Sequence, residues 1–270
     1  MLFIWTPFLR PLAYRFFKVN ERPVIVLGNQ KAGTSAIAAL LAKAIGADYD
    51  IDIGGFRNKE YAALHAGTTD LRTLISRKGK IEFSKEVVKE PNLTFLIPQL
   101  LTAFPEATYI YIVRDPRANI RSTLNRLKIP GTLPKINPAD YPEISPIWHS
   151  ILYNEWVRDS AEGSHIYHSA QRWNTGAEDY FKYEDKLHLI RYEDFNKNKT
   201  QAVYDLAERI GRTVTSDIAD KVDIQFQVKG SNKKTYREFF GDDNLRLIES
   251  VCSPQMQKFN YQPELFLHEG

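Results

Sequence analysis

The sequence predicts a three-layer α/β/α fold in which helices cover both faces of a central, mostly parallel sheet. Three short apolar runs, at 24–27, 109–113 and 187–190, are each followed by apolar residues at helical spacing. Strands that alternate with helices in this way build parallel sheets with two covered faces. A chain of 270 residues with 43% hydrophobic content is long enough to bury the core of one such domain.

The first strand and helix give the strongest signal. The strand is the β-branched run Val24–Leu27, which follows Pro23 and ends at Gly28. The apolar residues of the helix are Ile37, Leu40, Leu41, Ala44 and Ile45. Gly46 then stops the helix. A glycine-containing turn between a buried strand and a helix is typical of P-loop-like phosphate-binding units.

The other two units repeat this pattern. After the run Tyr109–Val113, Asp115 is placed to cap a helix whose first residue is Pro116. After the run Leu187–Ile190, a helix is indicated by Val203, Leu206, Ala207 and Ile210, and Gly211 closes it. The sequence therefore predicts at least three parallel strands.

The amino-acid composition argues against several classes of partner and site. The net charge of +3 is small and no block of five or six like charges occurs, which argues against nucleic acid as a partner. The single cysteine, Cys252, leaves no internal disulfide and no cysteine-rich metal site. This cysteine usage fits a reducing compartment, so we expect a cytoplasmic protein.

The N-terminal residues 1–22 are expected to form an apolar segment apart from a single domain at 23–270. Pro7, Arg10, Pro11 and Arg15 interrupt this segment well before the roughly 20 apolar residues that a membrane-spanning helix needs. It also lacks the charged start and small-residue cleavage site of a secretory signal. We expect it to pack on the domain, with peripheral membrane contact through residues 1–17 as the alternative.

The loop after the first strand reads Gly28-Asn29-Gln30-Lys31-Ala32-Gly33-Thr34-Ser35. Its backbone N–H groups and the positive end of the following helix favour an anion. A Walker A loop has lysine directly after its second glycine, whereas Thr34 stands there and the lysine is upstream. The displaced lysine can reach the outermost group of a ligand whose phosphate lies on the amides.

This loop resembles that of sulfotransferases that use phosphoadenosine phosphosulfate (PAPS). The resemblance implies that Gln30, Lys31, Ala32, Gly33, Thr34 and Ser35 bind the 5′-phosphate of the donor. It also implies that Lys31 is the central electrostatic catalyst. The sequence departs from the soluble branch of the family at Ala36, where that branch has an aromatic residue, so adenine stacking has to come from elsewhere.

Further segments carry the same resemblance. Arg114 and Ser122, eight residues apart, match the residues that hold the 3′-phosphate in the family, and both side chains are suited to phosphate. Tyr192, in Arg191-Tyr192-Glu193-Asp194, matches a tyrosine that lies against adenine. A basic loop that contains Lys229, Gly230, Ser231 and Asn232 stands where family members close over the 3′-phosphate; a solvated charge run is the alternative.

A sulfuryl transfer of this kind depends on positioning and electrostatics, and no metal follows from the scheme. Four residues are candidates for the general base: His65, Glu60, Asp52 and Glu90. Glu90 lies in Lys89-Glu90-Pro91, which resembles the Lys-x-Pro segment that lines the transfer site in carbohydrate and protein sulfotransferases. Lys89 and Glu90 are therefore also candidates for contact with the acceptor.

The predicted activity is transfer of the sulfuryl group of PAPS to a hydroxyl or amine, with adenosine 3′,5′-bisphosphate (PAP) as the product. The alternatives are a catalytically silent PAPS- or nucleotide-binding module and an ATP-dependent P-loop kinase. The acceptor is a small molecule, a carbohydrate or a lipid, and the sequence fixes neither its identity nor the oligomeric state. Lys128–Pro146 holds five prolines and is predicted to be a surface excursion that shapes the acceptor site.

Overall fold

The computed structural model describes residues 14–157, 162–222 and 234–264 and is built on a five-stranded sheet. The strands are β1 Val24–Leu27, β2 Tyr49–Ile51, β3 Val87–Lys89, β4 Thr108–Val113 and β5 Leu187–Arg191. Their spatial order is β2-β3-β1-β4-β5, and all four pairings are parallel. The predicted α/β class is therefore confirmed, and the three predicted strands are β1, β4 and β5.

Helices connect the strands and cover the sheet. The α-helices are α1 Thr34–Ala44, α2 Asn58–His65, α3 Leu71–Leu74, α4 Ile97–Ala103, α5 Pro116–Leu127, α6 Pro146–Leu152, α7 His165–Lys182, α8 Tyr192–Lys197, α9 Lys199–Arg209 and α10 Tyr236–Lys258. A π-helical turn spans Ile75–Gly79, and 3₁₀ turns span Glu82–Ser84, Pro91–Phe95, Pro138–Asp140 and Glu184–Lys186.

Strand β1 lies at the centre of the sheet, and its four side chains are fully buried. Because side chains alternate along a strand, Val24 and Val26 pack into one hydrophobic cluster, which includes residues of α1 and α9. Ile25 and Leu27 pack into a second cluster with residues of α5, α7 and α10. Two cores on opposite faces of one sheet give the three layers that the sequence predicts.

The ends of the parallel strands place the candidate site residues along one edge of the sheet. Gly28 follows β1, Asp52 follows β2, Glu90 follows β3, Arg114 follows β4 and Tyr192 follows β5. In open parallel sheets, ligands bind at this carboxyl edge. Residues distant in sequence are therefore gathered in one region.

The start of α5 has the predicted cap, because the Asp115 side chain accepts a hydrogen bond from the Arg117 N–H and Pro116 is the first helical residue. The same carboxylate forms an ion pair with the Arg117 guanidinium at 2.6 Å. Glu249 of α10, which is fully buried, forms a second one at 2.7 Å. Arg117 therefore joins α5 to α10, and both of these carboxylates neutralise its charge.

The N-terminal residues 1–13 lie outside the described residues. Of those that follow, Tyr14 is buried, whereas Phe16 is 84% exposed. Within the described ranges, no helix combines the length and the apolar character required to cross a bilayer. The boundary near residue 23, the membrane contact and the cytoplasmic location stay predictions.

Candidate functional site

The loop that follows β1 is held in a tight turn. The Gly28 N–H donates a hydrogen bond to the Thr94 hydroxyl at 2.8 Å, and Gly28 has a φ of 133°. A Cβ atom at this position would come within 2.4 Å of the Ile112 carbonyl oxygen. At the other end of the loop, Gly33 has a φ of 94° and precedes α1 without a side-chain cap. The N–H groups of the first turn of α1 are therefore oriented for an anion.

The side chain of Tyr192 lies directly on this loop. A Cβ atom at Gly33 would be 2.4 Å from Cδ2 of the tyrosine ring. The guanidinium carbon of Arg114 lies 4.5 Å from the centre of the same ring, and Arg114 Nη1 donates to the Lys31 carbonyl oxygen at 2.9 Å. Three residues predicted from separate segments are therefore brought together around the loop.

Lys31 has a left-handed backbone with a φ of 67°. Four other described residues that are not glycine share this conformation: Asp52, Lys128, Asn154 and Asn260. The last three lie just beyond the ends of α5, α6 and α10, where a left-handed residue commonly terminates a helix. Lys31 and Asp52 end no helix, and both lie at the carboxyl edge of the sheet. Such conformations often occur where the surrounding structure fixes a functional side chain.

Positive charge is concentrated around Lys31. Burial lowers the pKa of the Lys31 ammonium, and three nearby cations lower it further. These cations are Arg126, Arg114 and Lys89. A depressed lysine pKa means that the protein alone disfavours this charge, so a bound anion would relieve the repulsion.

Arg114 is half-buried, and the protein does not satisfy all of its donors in the described part of the chain. Its buried Nε has no hydrogen-bond partner among the described residues. Ser122 is half-buried on α5, about two helical turns beyond Arg114. The predicted loop residues Lys229, Gly230, Ser231 and Asn232 lie outside the described residues. Just after them, the Lys234 carbonyl oxygen accepts a hydrogen bond from Arg121 of α5 at 2.9 Å.

Two of the four candidate bases are engaged in buried structural roles. Glu90 is 4% exposed, and its two carboxylate oxygens accept from the N–H groups of Ile53 and Asn92, each at 3.0 Å. Burial raises the pKa of Glu90. Glu60 is also 4% exposed; it caps its own helix and forms an ion pair with Lys78 at 2.5 Å. Neither carboxylate is open to an incoming acceptor.

His65 is half-buried at the end of α2, and its Nε2 atom has no partner in the described part of the chain. Burial, and to a lesser degree the charge of Arg172, lowers the pKa of His65 to about 4. The ring is therefore neutral near pH 7 but is a weak base, poorly matched to proton abstraction at that pH.

Asp52 is the most accessible candidate base. Its side chain is 64% exposed and accepts from Lys89 Nζ at 2.5 Å, while the Lys89 side chain is only 4% exposed. The turn at Asp52 is held by three successive hydrogen bonds. The N–H groups of residues 52, 53 and 54 donate to the Lys89 carbonyl oxygen, the Glu90 carboxylate and the Glu82 carboxylate, at 2.8, 3.0 and 3.0 Å. Both carboxylates are buried, so they fix the Asp52 backbone while its side chain stays open.

Sequence reasoning missed Arg172 of α7, which is 4% exposed and lies against the loop. Its guanidinium donates to the side-chain oxygens of Gln30, Asn92 and Asn154. In the sequence, Arg172 is one polar residue of an amphipathic helix, and no local signal distinguishes it from a surface arginine.

The surface excursion that follows α5 lines a cavity of about 390 Å³. Its apolar wall consists of Ile136, Pro138, Tyr141, Pro142, Ile144, Pro146 and Leu152. One side is polar, because Glu155 there accepts from the Ser150 hydroxyl at 2.5 Å and contacts His149 Nδ1 at 2.9 Å. Helix α6 contributes Leu152 to this cavity and Ile151 to a smaller one, which Gln30 and Arg172 also line. A single helix therefore lies between the larger cavity and the phosphate loop.

Comparison with known proteins identifies relatives of this fold. A model of the sulfotransferase family matches residues 52–216, more than half of the chain, and the phosphate loop precedes the matched span. No curated protein sequence matches the chain significantly.

Solved sulfotransferase structures resemble the chain over most of its length. Sulfotransferase STF9 from Mycobacterium avium is 13% identical with a TM-score of 0.52, and the match covers 95% of this chain and 81% of that one. For STF1 from Mycobacterium tuberculosis the identity is 11%, the TM-score is 0.53, and the coverages are 91% and 80%. For mouse sulfotransferase SULT7A1, complexed with PAP, the identity is 13% and the TM-score is 0.53, and the match covers 91% of this chain and 88% of that one. At these identities the likeness shows the fold alone.

Proposed function

The chain belongs to the sulfotransferase family, and on this basis we propose that it transfers the sulfuryl group of PAPS to a hydroxyl or amine and releases PAP. The observation that carries the proposal is the position of Lys31. Its left-handed backbone lies in the phosphate loop, and other cations surround and destabilise its charge. A ligand with two phosphates and a sulfonate would neutralise this cluster.

The residues present fit such a donor. The amides of Gly33, which caps α1, and of Thr34 and Ser35 in its first turn would hold the 5′-phosphate, with Gln30 and Ala32 shaping the loop. The guanidinium of Arg114, a half-buried residue, and the hydroxyl of Ser122 would hold the 3′-phosphate. Tyr192 would contact the adenine from its position on the loop. Lys229, Gly230, Ser231 and Asn232 are proposed to close over the 3′-phosphate.

The chemistry is divided between two side chains. When bound, PAPS supplies a sulfuryl group and a phosphate as the leaving group. The Lys31 ammonium would stabilise the negative charge that develops on the oxygen between phosphorus and sulfur. Asp52 would accept the proton that the acceptor loses, because its carboxylate is the open one among the candidates. Lys89 would hold that carboxylate and lie beside the sulfonate, while Glu90 supports the turn.

We propose that the body of the acceptor lies in the cavity of about 390 Å³ and that its reactive group extends past α6, because Lys31 and Asp52 do not line this cavity. Its proline and aliphatic wall suits an apolar body, which favours a small molecule or a lipid over a carbohydrate. The hydrogen-bonded side at Ser150 and Glu155 would orient polar groups of the same molecule.

The experiment that tests the function is transfer from radiolabelled PAPS to a panel of apolar alcohols, phenols and amines by the full-length protein in EDTA. We expect a labelled product without added magnesium, because no step in the scheme uses a metal. Magnesium-dependent phosphoryl transfer from ATP would instead establish the kinase. Binding of PAP in calorimetry, with no turnover of any acceptor, would establish a silent module.

Gly33→Ala should weaken PAP binding by about tenfold or more, the equivalent of one lost charge-assisted hydrogen bond. The added methyl group would have to displace the Tyr192 ring, and the left-handed backbone alone costs about 1–2 kcal/mol. Gly211→Ala is the matched control, because Gly211 has a φ of 69° and no atom within 4 Å of the added Cβ. Titration calorimetry with PAP measures the loss of affinity in both variants, and thermal unfolding measures the loss of stability that the left-handed backbone alone would cause. Equal PAP affinity in the two variants would refute the role of the Gly33–Tyr192 contact.

A further inference from the structure

The guanidinium of Arg172 joins three segments that are far apart in the sequence. Its Nε donates to Gln30 Oε1 at 3.3 Å, one Nη to Asn92 Oδ1 at 3.0 Å and the other to Asn154 Oδ1 at 3.3 Å. Gln30 belongs to the phosphate loop, Asn92 to the turn after Lys89-Glu90, and Asn154 to the end of α6. The planar guanidinium suits this task because its donors diverge within one plane.

The surroundings of Arg172 restrict it to this arrangement. Its guanidinium carbon lies 4.1 Å from the centre of the Phe95 ring and 5.8 Å from that of Trp156. All three oxygens to which it donates belong to neutral amides. Burial lowers the pKa of Arg172 to about 9, so it remains a cation at neutral pH. Among the described residues its hydrogen bonds go to amide oxygens and the charge of Glu90 offsets only part of the cost of burial, so this cation is less well compensated than the ion-paired Arg117.

Gln30 is held at both its backbone and its side chain. Its carbonyl oxygen accepts from the Asn119 side chain at 2.8 Å. Its side-chain Nε2 donates to Asn92 Oδ1 at 2.7 Å, while its Oε1 accepts from Arg172. The next residue is Lys31, whose left-handed backbone depends on its neighbours. The bonds on Gln30 therefore fix the chain immediately before the proposed catalytic lysine.

We propose that Arg172 is a positioning residue, which fixes Gln30 and thereby the backbone of Lys31 relative to the Asn92 turn and α6. This inference rests on the proposed function for its kinetic consequence, but its structural consequence is independent of it. The amides of residues 33–35 take no part in these bonds, and Arg114 contacts this segment through the Lys31 carbonyl oxygen rather than through Gln30 or Arg172. Loss of the bonds should therefore disturb the placement of Lys31 more than the grip on the donor phosphates.

The test uses Arg172→Lys and Gln30→Ala in the full-length protein. The lysine keeps the charge but cannot reach three oxygens in a plane, and Gln30→Ala removes the held side chain while leaving Arg172 in place. Arg72→Lys and Gln99→Ala are matched controls. Arg72 stacks on Phe104 at 4.5 Å, and Gln99 donates to the Leu64 carbonyl oxygen at 3.0 Å, so these contacts involve none of the three residues to which Arg172 donates.

We expect each test variant to lower kcat by about 10- to 100-fold, as a misplacement of about 1 Å does, with a much smaller change in the Kd for PAP. The double variant should lose no more than the worse single variant, because both changes break the same link. Losses that multiply in the double variant, or a Kd for PAP that weakens in parallel with kcat, would overturn the proposal.

Hydrogen exchange provides a readout that does not need activity. A peptide covering residues 28–33 should exchange faster in both test variants than in the wild type, and at the wild-type rate in both controls. Unchanged exchange in Gln30→Ala, which keeps Arg172 and its buried charge, would refute the link even if Arg172→Lys fails to fold. If the wild type transfers no sulfuryl group, the function is refuted while the exchange result still decides the role of Arg172.

Discussion

Lys31→Met is expected to lower kcat by about 10³-fold, the upper range for removal of one preorganised group that stabilises developing charge. The ammonium is the cation that we place on the leaving oxygen, whereas Arg114 is assigned to the 3′-phosphate and donates to the Lys31 carbonyl oxygen. Methionine keeps the length of the side chain and much of its packing. The kinetics of sulfuryl transfer at saturating PAPS measure this effect.

The same substitution, Lys31→Met, should not lower the stability of the unliganded protein, although it lowers kcat. Because burial and neighbouring cations lower the lysine pKa in the folded state, its charge destabilises the unliganded fold at neutral pH. Thermal unfolding without ligand should therefore occur at the same temperature as in the wild type or higher. Lys43→Met, on a half-buried lysine in the last turn of α1, should leave kcat unchanged. Wild-type turnover in Lys31→Met would contradict the mechanism.

Asp52→Asn should lower kcat by about 10²- to 10³-fold, within the range for loss of a general base. The amide is isosteric but cannot accept the proton. The turn should survive, because it is held by backbone N–H groups that donate to Lys89, Glu90 and Glu82. The measurements are kcat for transfer and the Kd for PAP, which should change little.

Asp185→Asn is the matched control for Asp52→Asn, because Asp185 is also an exposed aspartate paired with a lysine, at 2.8 Å from Lys186. It should retain full activity. A normal kcat in Asp52→Asn together with a large loss in His65→Gln would transfer the role of base to the histidine.

The elements predicted correctly are those with strong local signals. β1 is a run of four buried apolar residues followed by Gly28, and α5 is capped by Asp115 and begins at Pro116. β2 and β3 have only three residues each, too few for a periodic pattern, and parallel neighbours complete their hydrogen bonding.

In the candidate site too, some residues are predicted by local sequence patterns and others are not. The glycines and the lysine of the loop are recognised from their order along the chain. The general base is not recognised in this way, because Asp52 and Glu90 differ in their burial and in their hydrogen-bond partners, and those partners lie elsewhere in the sequence. Arg172 acts on Gln30 across 142 residues, and only the folded chain brings them together.

The order of strands in the sheet limits how far the chain can be truncated. A fragment limited to residues 52–216 would lack β1 and β2; because β1 joins β3 to β4, the remaining β3 would be separated from the β4–β5 pair. It would also lack Glu249, which leaves Arg117 with Asp115 as its remaining counter-charge. Recombinant versions should therefore retain everything from β1 through α10.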